Sequence, residues 1–381
     1  MRSPARSSPR AETIIVLAQA GRQLATAARS AGCVPIVIDR FGDADTQAAA
    51  ASVSVVAANT EGLLDADEVL AVVARVRRQM PDATVVWGGG LEAQPELLST
   101  LAHEGAVLGS DLAALQWLRS PELLARELAT LGVPVPSVVR TAQGDHGWLR
   151  KRCAAAGGWH VQPYAPGSPV LPAEYLQRVV TGQSYSCTFL AMHDSIFELG
   201  FNQHLNLQPS RAMPYRYGGA LAGALLPTEV QQACADYARR ITRHFAWRGL
   251  CGFDFIADGR DLAVVDLNPR PTATFDLTYP AGAAFAAHLA ACRDQPLPAL
   301  VARQTVRGHL VCYATDAIQI PKSLDWPRWV ADRPRAGSVV SAGAPLCSIQ
   351  AASGNAGATL ALLNSRLASI QKITSFGEKP C

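Results

Sequence analysis

The sequence predicts a protein of mixed α/β and α+β class: a parallel α/β domain, then a two-part domain with antiparallel strands, then a small β-rich cap. Short apolar strands alternate with helical segments over residues 12–118, which is typical of a parallel sheet flanked by helices. Closely spaced strand patterns with hairpin signals occupy residues 175–268. At 381 residues the chain can hold two or three domains and bury a sizeable core.

The first domain is expected to build its sheet from four buried strands with helices between them. Polar and glycine residues fall where those strands end, and ligands of such sheets usually sit at the carboxyl ends of strands. For each glycine taken alone, a turn is the preferred interpretation. The expected strands are 13–18, 34–39, 52–57 and 84–87, the helices are 24–30 and 67–78, and the residues at the strand ends are Gly21, Arg22, Asp39 and Gly88 to Gly90.

Composition excludes several classes of partner. The net charge is +3 and charged residues make up 17% of the chain, so no strong field for nucleic acid exists. The nine cysteines include no C-x-x-C pair, which indicates a reducing compartment, and we expect a cytoplasmic protein. No apolar run is long enough to span a bilayer, and residues 1–11 read as a disordered tail without a signal-peptide core.

The most informative stretch is a predicted hairpin that runs from Gly252 to Arg270 and turns at Asp258-Gly259. Side chains alternate along a strand, so Asp266 and Asn268 project from one face. Asp254 joins them only in one register. A two-residue turn would place it on the opposite face, whereas a five-residue loop over 258–262 would pair it with Asp266. We predict the longer loop, which also directs Phe253, Phe255, Val265 and Leu267 to the core.

Two carboxylates and an amide oxygen on one sheet face form a hard oxygen site that suits Mg²⁺, with phosphate oxygens completing the shell. Arg270 follows directly, and a guanidinium beside a metal suits a phosphoryl group. The alternative is a surface hairpin with solvated acids. We rank it second because Asp254 and Asp266 lie inside apolar runs, where a buried charge needs a partner.

A lysine on a predicted strand precedes a loop of small residues. Lys151 ends the strand 148–151, and the loop 153–158 ends in Gly157-Gly158. Such a loop can fold its amides over phosphates, which the lysine could reach as well. Taken alone, the pattern is better explained by an ordinary hairpin turn with a solvated lysine. Further strands are expected at 175–180, 188–191 and 196–201, the first two joined by a short turn, and a helix at 228–245.

The order of these parts resembles the ATP-grasp superfamily, of the carboxylate–amine/thiol ligase type and distantly biotin-carboxylase-like. The resemblance rests on the lysine with its Gly-Gly loop, Gln-x-x-x-x-Gly-x-Ser from Gln177, Gly-Phe-Asp-Phe from Gly252 and Asp-x-Asn-Pro-Arg from Asp266, of which the last is the specific signature. It implies a pre-ATP-grasp domain at 12–118, an ATP-grasp domain at 119–304 with lobes 119–176 and 177–304, and a cap at 305–381. In the cap we expect a strand at 308–314, a hairpin of 337–341 with 345–349, and a helix at 359–373.

The resemblance also implies ATP and Mg²⁺, with Mn²⁺ as a substitute, and it assigns roles by motif. Two departures are present: the central metal ligand is usually glutamate but here is Asp266, and the adenine hinge often carries Gln-Glu but here is Gln177-Arg178. No carboxylate for the ribose is evident. The assigned residues are Lys151, Gly157, Gly158, Gln177 and the backbone of Val179 and Val180 for the nucleotide; Asp254, Asp266 and Asn268 for the metal; and Arg270 with Lys151 for catalysis.

Substrate residues are expected near the second half of the site, at Arg216, Gly218, Asn202 and Thr272. Arg216 could clamp a carboxylate, although a lone arginine is more often a surface residue. His160 and His204 are more often structural than catalytic.

The implied activity is an ATP-dependent ligase that joins a small carboxylate to an amine through an acyl phosphate. The resemblance extends to ligases of cofactor biosynthesis, including those that add glutamate to an amine in methanofuran-type coenzymes. A homodimer is an option because this fold often pairs, and neither nucleic acid nor a membrane is expected as a partner. The alternatives are a carboxylase or phosphotransferase of the same fold and a nucleotide-binding regulator without turnover.

Overall fold

The computed structural model describes residues 11–59, 62–142 and 146–375. The first ten residues of the predicted tail lie outside these ranges. None of the helices within them is long and apolar enough to cross a membrane.

The first domain is a five-stranded sheet in the order β3-β2-β1-β4-β5, with every neighbouring pair parallel. The predicted class is confirmed, and the strands at 34–39 and 84–87 have the predicted bounds. Helices α2, α4 and α5 and strand β5 were not predicted. Of these, α2 and β5 are too short for a periodic pattern to show. The elements are β1 Thr13–Leu17, α1 Arg22–Ser30, β2 Val34–Asp39, α2 Ala44–Ala49, β3 Ser52–Val55, α3 Ala66–Gln79, β4 Thr84–Trp87, α4 Pro95–Glu104, β5 Val107–Leu108 and α5 Leu112–Leu118.

A small antiparallel sheet follows, in the order β6-β9-β7-β8. The sequence predicts that β9 continues through a short turn into the next strand of the same sheet. This prediction is wrong, because residues 183–191 pair with strands of a different sheet. The segment 179–182 therefore passes from one sheet to another. The elements are α6 Pro121–Thr130, β6 Val138–Val139, β7 Trp148–Arg152, β8 Gln162–Pro163 and β9 Glu174–Arg178.

The remaining chain forms an eight-stranded sheet in the order β14-β13-β10-β11-β12-β15-β19-β17. The predicted hairpin of 337–341 with 345–349 is wrong: β18 pairs with β16, whereas β19 pairs with β15 and β17. The elements are β10 Gln183–Ala191, β11 Ile196–His204, β12 Gly219–Ala222, α7 Thr228–His244, β13 Gly249–Asp258, β14 Asp261–Asn268, α8 Ala281–Cys292, β15 Val306–Tyr313, β16 Ile318–Gln319, β17 Val330–Ala331, β18 Val339–Val340, β19 Pro345–Ser353 and α9 Ala356–Ser375.

Burial explains why β19 joins the large sheet. Leu346, Cys347, Ile349 and Ala351 are buried in one core with residues of β15 and of α9. An apolar strand of nine residues is stabilised more by a long partner and a covering helix than by the two-residue β18. The C-terminal strands therefore extend the sheet that also carries the Asp254–Asp266 hairpin.

The first domain is packed against the rest of the chain through an apolar core. Ile14, Val16 and Leu24 lie in one buried cluster with Leu250 and Phe285. Helix α1 contacts α8 across this cluster. The carboxyl ends of β1, β2 and β4 are thereby held facing the large sheet, and a cavity lies between them.

Candidate functional site

The hairpin of β13 and β14 places the two aspartates directly opposite one another. Asp254 pairs with Asp266, and Gly252 pairs with Asn268. The predicted pairing is confirmed, but the predicted five-residue loop is wrong. Asp258 pairs with Asp261, so the turn holds two residues, and Gly259 in it has φ +61°.

A β-bulge reconciles the short turn with the pairing. The register shifts between Asp254 and Phe255, because Phe255 pairs with Val264 and leaves Val265 as an extra residue. Val264 is therefore the valine in the core, at 2% exposure, and the prediction that Val265 faces the core is wrong. Without this extra residue, a regular hairpin would turn Asp266 toward the opposite face.

The bulge also supplies an acceptor for Lys151. The Lys151 Nζ donates to the carbonyl of Val265 at 3.1 Å and to Oε1 of Gln177 at 3.0 Å, and the lysine is 8% exposed. Burial lowers the pKa of Lys151, while Asp266 and then Asp254 act to raise it. Gln177 Nε2 donates to the same carbonyl at 3.3 Å, so this side chain orients the lysine.

The carboxyl groups of Asp254 and Asp266 ionise less readily than free carboxyl groups. The pKa of each is raised from 3.8 to about 6, first because the surrounding protein removes water; Arg270 and Lys151 oppose this rise. His204 Nε2 lies 3.7 Å from Asp254 Oδ1, but burial lowers the pKa of His204 to about 4, so it is neutral near pH 7. A divalent cation bound beside them would favour the ionised form of both carboxyl groups.

The donor set fits Mg²⁺ if a ligand completes it. No group of three or more His, Cys, Asp or Glu side chains able to hold a metal occurs in the described ranges. Asp254, Asp266 and Asn268 provide two carboxylates and one amide, fewer oxygens than Mg²⁺ requires. The Asn268 Oδ1 accepts from Arg270 Nη2 at 2.9 Å, which leaves one lone pair. The arrangement is typical of a metal shared with phosphate oxygens.

Arg270 is fixed by a residue that the sequence analysis missed. Its Nε donates to Glu92, and its Nη1 donates to the carbonyl of Pro271 at 3.1 Å. Glu92 is 4% exposed and accepts from the backbone N–H of Gly90 at 2.7 Å. The available signal was an acid two residues after three glycines at the end of a buried strand.

The glycine loop closes the cleft beside these groups. Gly157 and Gly158 have φ of +78° and +71°. The Gly157 carbonyl accepts from the Tyr217 N–H at 2.9 Å. A Cβ on Gly158 would lie 2.0 Å from the carbonyl oxygen of Tyr215, so only glycine fits.

One cleft of about 790 Å³ collects almost all of the predicted site residues. Asn202 is the exception, because it is 1% exposed and does not line the cleft. Its Nδ2 donates to the hydroxyls of Ser186 and Thr188 at 3.3 and 3.4 Å, so it holds the strand residues beneath the cleft in place. The predicted residues that line the cleft are Lys151, Gly157, Gly158, Gln177, Val179, Val180, Arg216, Gly218, Asp254, Asp266, Asn268, Arg270 and Thr272.

A second cavity of about 720 Å³ adjoins the first and shares Gly157, Arg216 and Arg270 with it. It lies between the strand ends of the first domain and one face of β15 and β19. Arg22 and Gly88 to Gly90 line it, in agreement with the expected ligand edge. Asp39 instead is fully buried and accepts from the N–H groups of Gly21 and Gly42 at 3.0 and 2.8 Å, so it shapes the loops.

Comparison with solved structures identifies the fold. The chain superposes on biotin carboxylase from Campylobacter jejuni, in complex with β,γ-ATP, with a TM-score of 0.70, 12% identity and coverage of 91% of this chain and 89% of that one. The biotin carboxylase domain of 2-oxoglutarate carboxylase from Hydrogenobacter thermophilus, described as a dimer with MgADP and bicarbonate, superposes with a TM-score of 0.70 and 12% identity. The match covers 96% of this chain and 90% of that one. L-amino acid ligase from Bacillus licheniformis superposes with a TM-score of 0.68 and 11% identity, and the match covers 95% of this chain and 98% of that one.

No curated protein sequence matches the chain. A family model described as ATP-grasp domain matches residues 122–274, the part that contains Lys151, the glycine loop and the hairpin of β13 and β14. The residues assigned by motif thus fall within the matched region and within one cleft. Residues 122–274 therefore match the ATP-grasp domain, and the chain as a whole has a fold similar to that of biotin carboxylase.

Proposed function

We propose that the protein is an ATP- and Mg²⁺-dependent ligase that joins a carboxylate to an amine through an acyl phosphate. The observation that carries the proposal is the convergence of Lys151, Arg270 and the Asp254–Asp266 pair on one cleft of about 790 Å³. Two cations facing two carboxylates can bind a phosphate chain together with a divalent ion. A solvated surface hairpin would not need a buried lysine opposite it.

The nucleotide would lie along the cleft, with its base at the apolar end. Leu124, Leu128 and Leu149 line that end, near Val179 and Val180 in the segment between the two sheets. The backbone of this segment can offer hydrogen bonds to a base edge. Gln177 is directed at Lys151, so we assign it to positioning the lysine rather than to contact with adenine.

The phosphates would lie beneath Gly157-Gly158 and against Lys151. Asp254, Asp266 and Asn268 would hold Mg²⁺, or Mn²⁺ in its place. The metal would supply positive charge on the phosphate oxygens. Arg270, held by Glu92 and Asn268, presents a fixed guanidinium to the transferred group.

In the reaction, a substrate carboxylate oxygen attacks the γ-phosphorus of ATP, and the bond from that phosphorus to the bridging oxygen breaks to release ADP. The amine then attacks the acyl carbon, phosphate leaves and the amine loses a proton. No protein nucleophile is required. Lys151 and Arg270 offset the negative charge that the transferred group carries. Arg216, the backbone of Gly218 and Thr272 lie where the acid would bind.

The test is ADP release by the full chain with Mg²⁺ and pooled small acids, with and without pooled amines. We expect release that requires both an acid and an amine. The fold shared with biotin carboxylases favours carboxylation as the second candidate, which would instead show dependence on bicarbonate. Tight ATP binding with no ADP release under any combination would contradict both and support a regulator. Size-exclusion chromatography with light scattering would test the expected option of a homodimer.

A further inference from the structure

The second cavity has a strongly basic lining. Six arginines and two aspartates face it. Two of these arginines are neutralised: Arg22 forms a two-point ion pair with Asp332 at 2.8 and 3.2 Å, and Arg270 pairs with Glu92. The other four have no carboxylate within ion-pair distance among the residues described. They are Arg40, Arg152, Arg216 and Arg307.

Two of these four arginines lie at opposite ends of one strand face. Arg307, His309, Val311 and Tyr313 alternate along β15 and all line the cavity. The guanidinium of Arg216 lies 3.8 Å from the centroid of the Tyr313 ring, at the end that the cavity shares with the ATP cleft. At ~3.3 Å per residue, Tyr313 and Arg307 are about 20 Å apart along the strand.

Arg216 is positioned with unused hydrogen-bonding capacity. Its Nη2 donates to the carbonyl of Gln208 at 3.3 Å, but its buried Nε has no acceptor. A buried guanidinium N–H without a partner carries a desolvation cost that a bound oxyanion would remove. Stacking on Tyr313 fixes the plane of the group, which favours two-point recognition of a carboxylate.

Arg307 is the cation at the far end. Its charge acts on Arg303, whose pKa is lowered by burial first and by Arg307 second, against the opposing effect of Asp276. Arg303 also has a buried Nε without an acceptor. Arg303 and Arg307 repel each other, and an anion bound between or beside them would reduce this repulsion.

We infer that the acid substrate is a dianion: one carboxylate beside Arg216, where it reacts, and a second oxyanion group held by Arg307. This inference rests on the proposed function and names the class of its substrate. The second group can be a carboxylate or a phosphate monoester, since both are oxyanions that a guanidinium binds. The two arginine side chains reach inward from a span of about 20 Å, so the molecule would be elongated.

The test is binding of defined probes to the full chain saturated with MgADP, measured by isothermal titration calorimetry. The probes are propionate, linear dicarboxylates from succinate to sebacate, and 6-phosphogluconate. We expect one dicarboxylate length or the phosphate probe to bind at least about tenfold more tightly than propionate, because each charge-assisted contact is worth roughly that factor. Preference for the dicarboxylate or for 6-phosphogluconate identifies the second group.

Three variants make the result specific. Arg307→Gln should remove the advantage of the dianion and leave propionate affinity unchanged, and Arg307→Lys should restore part of it. Arg328→Gln, which changes an exposed arginine outside both cavities, should have no effect. Dianions that bind no better than propionate, or a dianion advantage that survives Arg307→Gln, would overturn the inference. Dianion binding is read without turnover, so it can succeed where ADP release fails, and the reverse.

Discussion

At the scale of single residues, the site is a charge balance among few groups. Lys151 and Arg270 face Asp254 and Asp266, and loss of water around the carboxyl groups raises the pKa of each to about 6 despite these two cations, although the Asp266 side chain still reaches solvent. Glu92 neutralises Arg270 and also adds negative charge near Asp266. A bound cation would therefore stabilise Asp254 and Asp266 in their ionised form, and Lys151 and Arg270 would stabilise a bound phosphate chain.

Asp266→Asn should abolish ADP release while leaving the fold intact. The substitution keeps the side-chain size but removes one of two carboxylates opposite Lys151, so we expect a loss of about 10²-fold or more in kcat. The measurement is steady-state ADP release with circular dichroism as a check on folding. Asp261→Asn, an exposed residue in the same hairpin, is the matched control. Unchanged turnover in Asp266→Asn would rule out the metal assignment.

Glu92→Gln should lower kcat through the position of Arg270. The amide keeps the acceptor oxygen but removes the charge that holds the guanidinium, so we expect a drop of about tenfold or more. Affinity for ATP, measured by calorimetry, should change less than kcat does. Glu96→Gln is the control because Glu96 is exposed and pairs with Arg119 outside the site. Equal losses in both variants would indicate general destabilisation.

At the scale of elements, two irregular backbone features create the site. The bulge at Val265 sets Asp266 opposite Asp254 and turns a carbonyl to Lys151. The loop at Gly157-Gly158 uses positive φ to lie against residues 213–217. Both depart from regular geometry where a ligand would bind, as bulges and glycine loops near active sites often do.

Gly158→Ala should weaken ATP binding by displacing the loop. The new Cβ would collide with the Tyr215 carbonyl, in addition to the cost of positive φ. Gly167→Ala is a matched control, because Gly167 has φ +84° and open space around its Cβ. The control should lose only about 1 kcal/mol of stability from backbone strain. A calorimetric Kd for ATP that is equal in the two variants would contradict the steric argument.

At the scale of the whole molecule, the C-terminal strands and the first domain enclose the second cavity together. Arg22 of α1 pairs with Asp332, which follows β17, and Asp45 of α2 accepts from the N–H groups of Asp332 and Arg333 at 2.9 and 2.8 Å. The wall of the second cavity is thus built from chain segments more than 280 residues apart. Its shape depends on how tightly these segments hold each other.

Arg22→Ala should destabilise this closure. The Arg22 and Asp332 side chains are 13% and 25% exposed, so breaking the pair leaves a poorly solvated charge and should cost about 1–3 kcal/mol in free energy of unfolding. Urea denaturation measures the loss. Arg119→Ala removes an ion pair whose partners are 49% and 74% exposed and should cost less than about 1 kcal/mol. A smaller loss of stability in Arg22→Ala than in Arg119→Ala would contradict the proposed role of the Arg22–Asp332 ion pair.

Local pattern was sufficient where the determining contacts are close in sequence. The strands at 34–39 and 84–87, the helix starting at Thr228 and the alternation from Asp266 to Asn268 follow from runs of β-branched residues and from period. The prediction of a C-terminal hairpin was wrong because β19 pairs where its apolar residues are buried against β15 and α9. Short elements such as α2 carry too few residues for any period to show.

The sequence by itself determined the chemistry of this protein: which residues carry oxygen, positive charge and glycine, and in what order along the chain. Only the tertiary structure decided the bulge at Val265, the attachment of Arg270 to Glu92, and the seat of Arg216 on Tyr313. The reason is that the Arg270–Glu92 and Arg216–Tyr313 contacts join residues far apart in the chain, whereas the bulge depends on how β13 pairs with β14. A strand's period fixes which side chains share a face, whereas its partner fixes what that face meets.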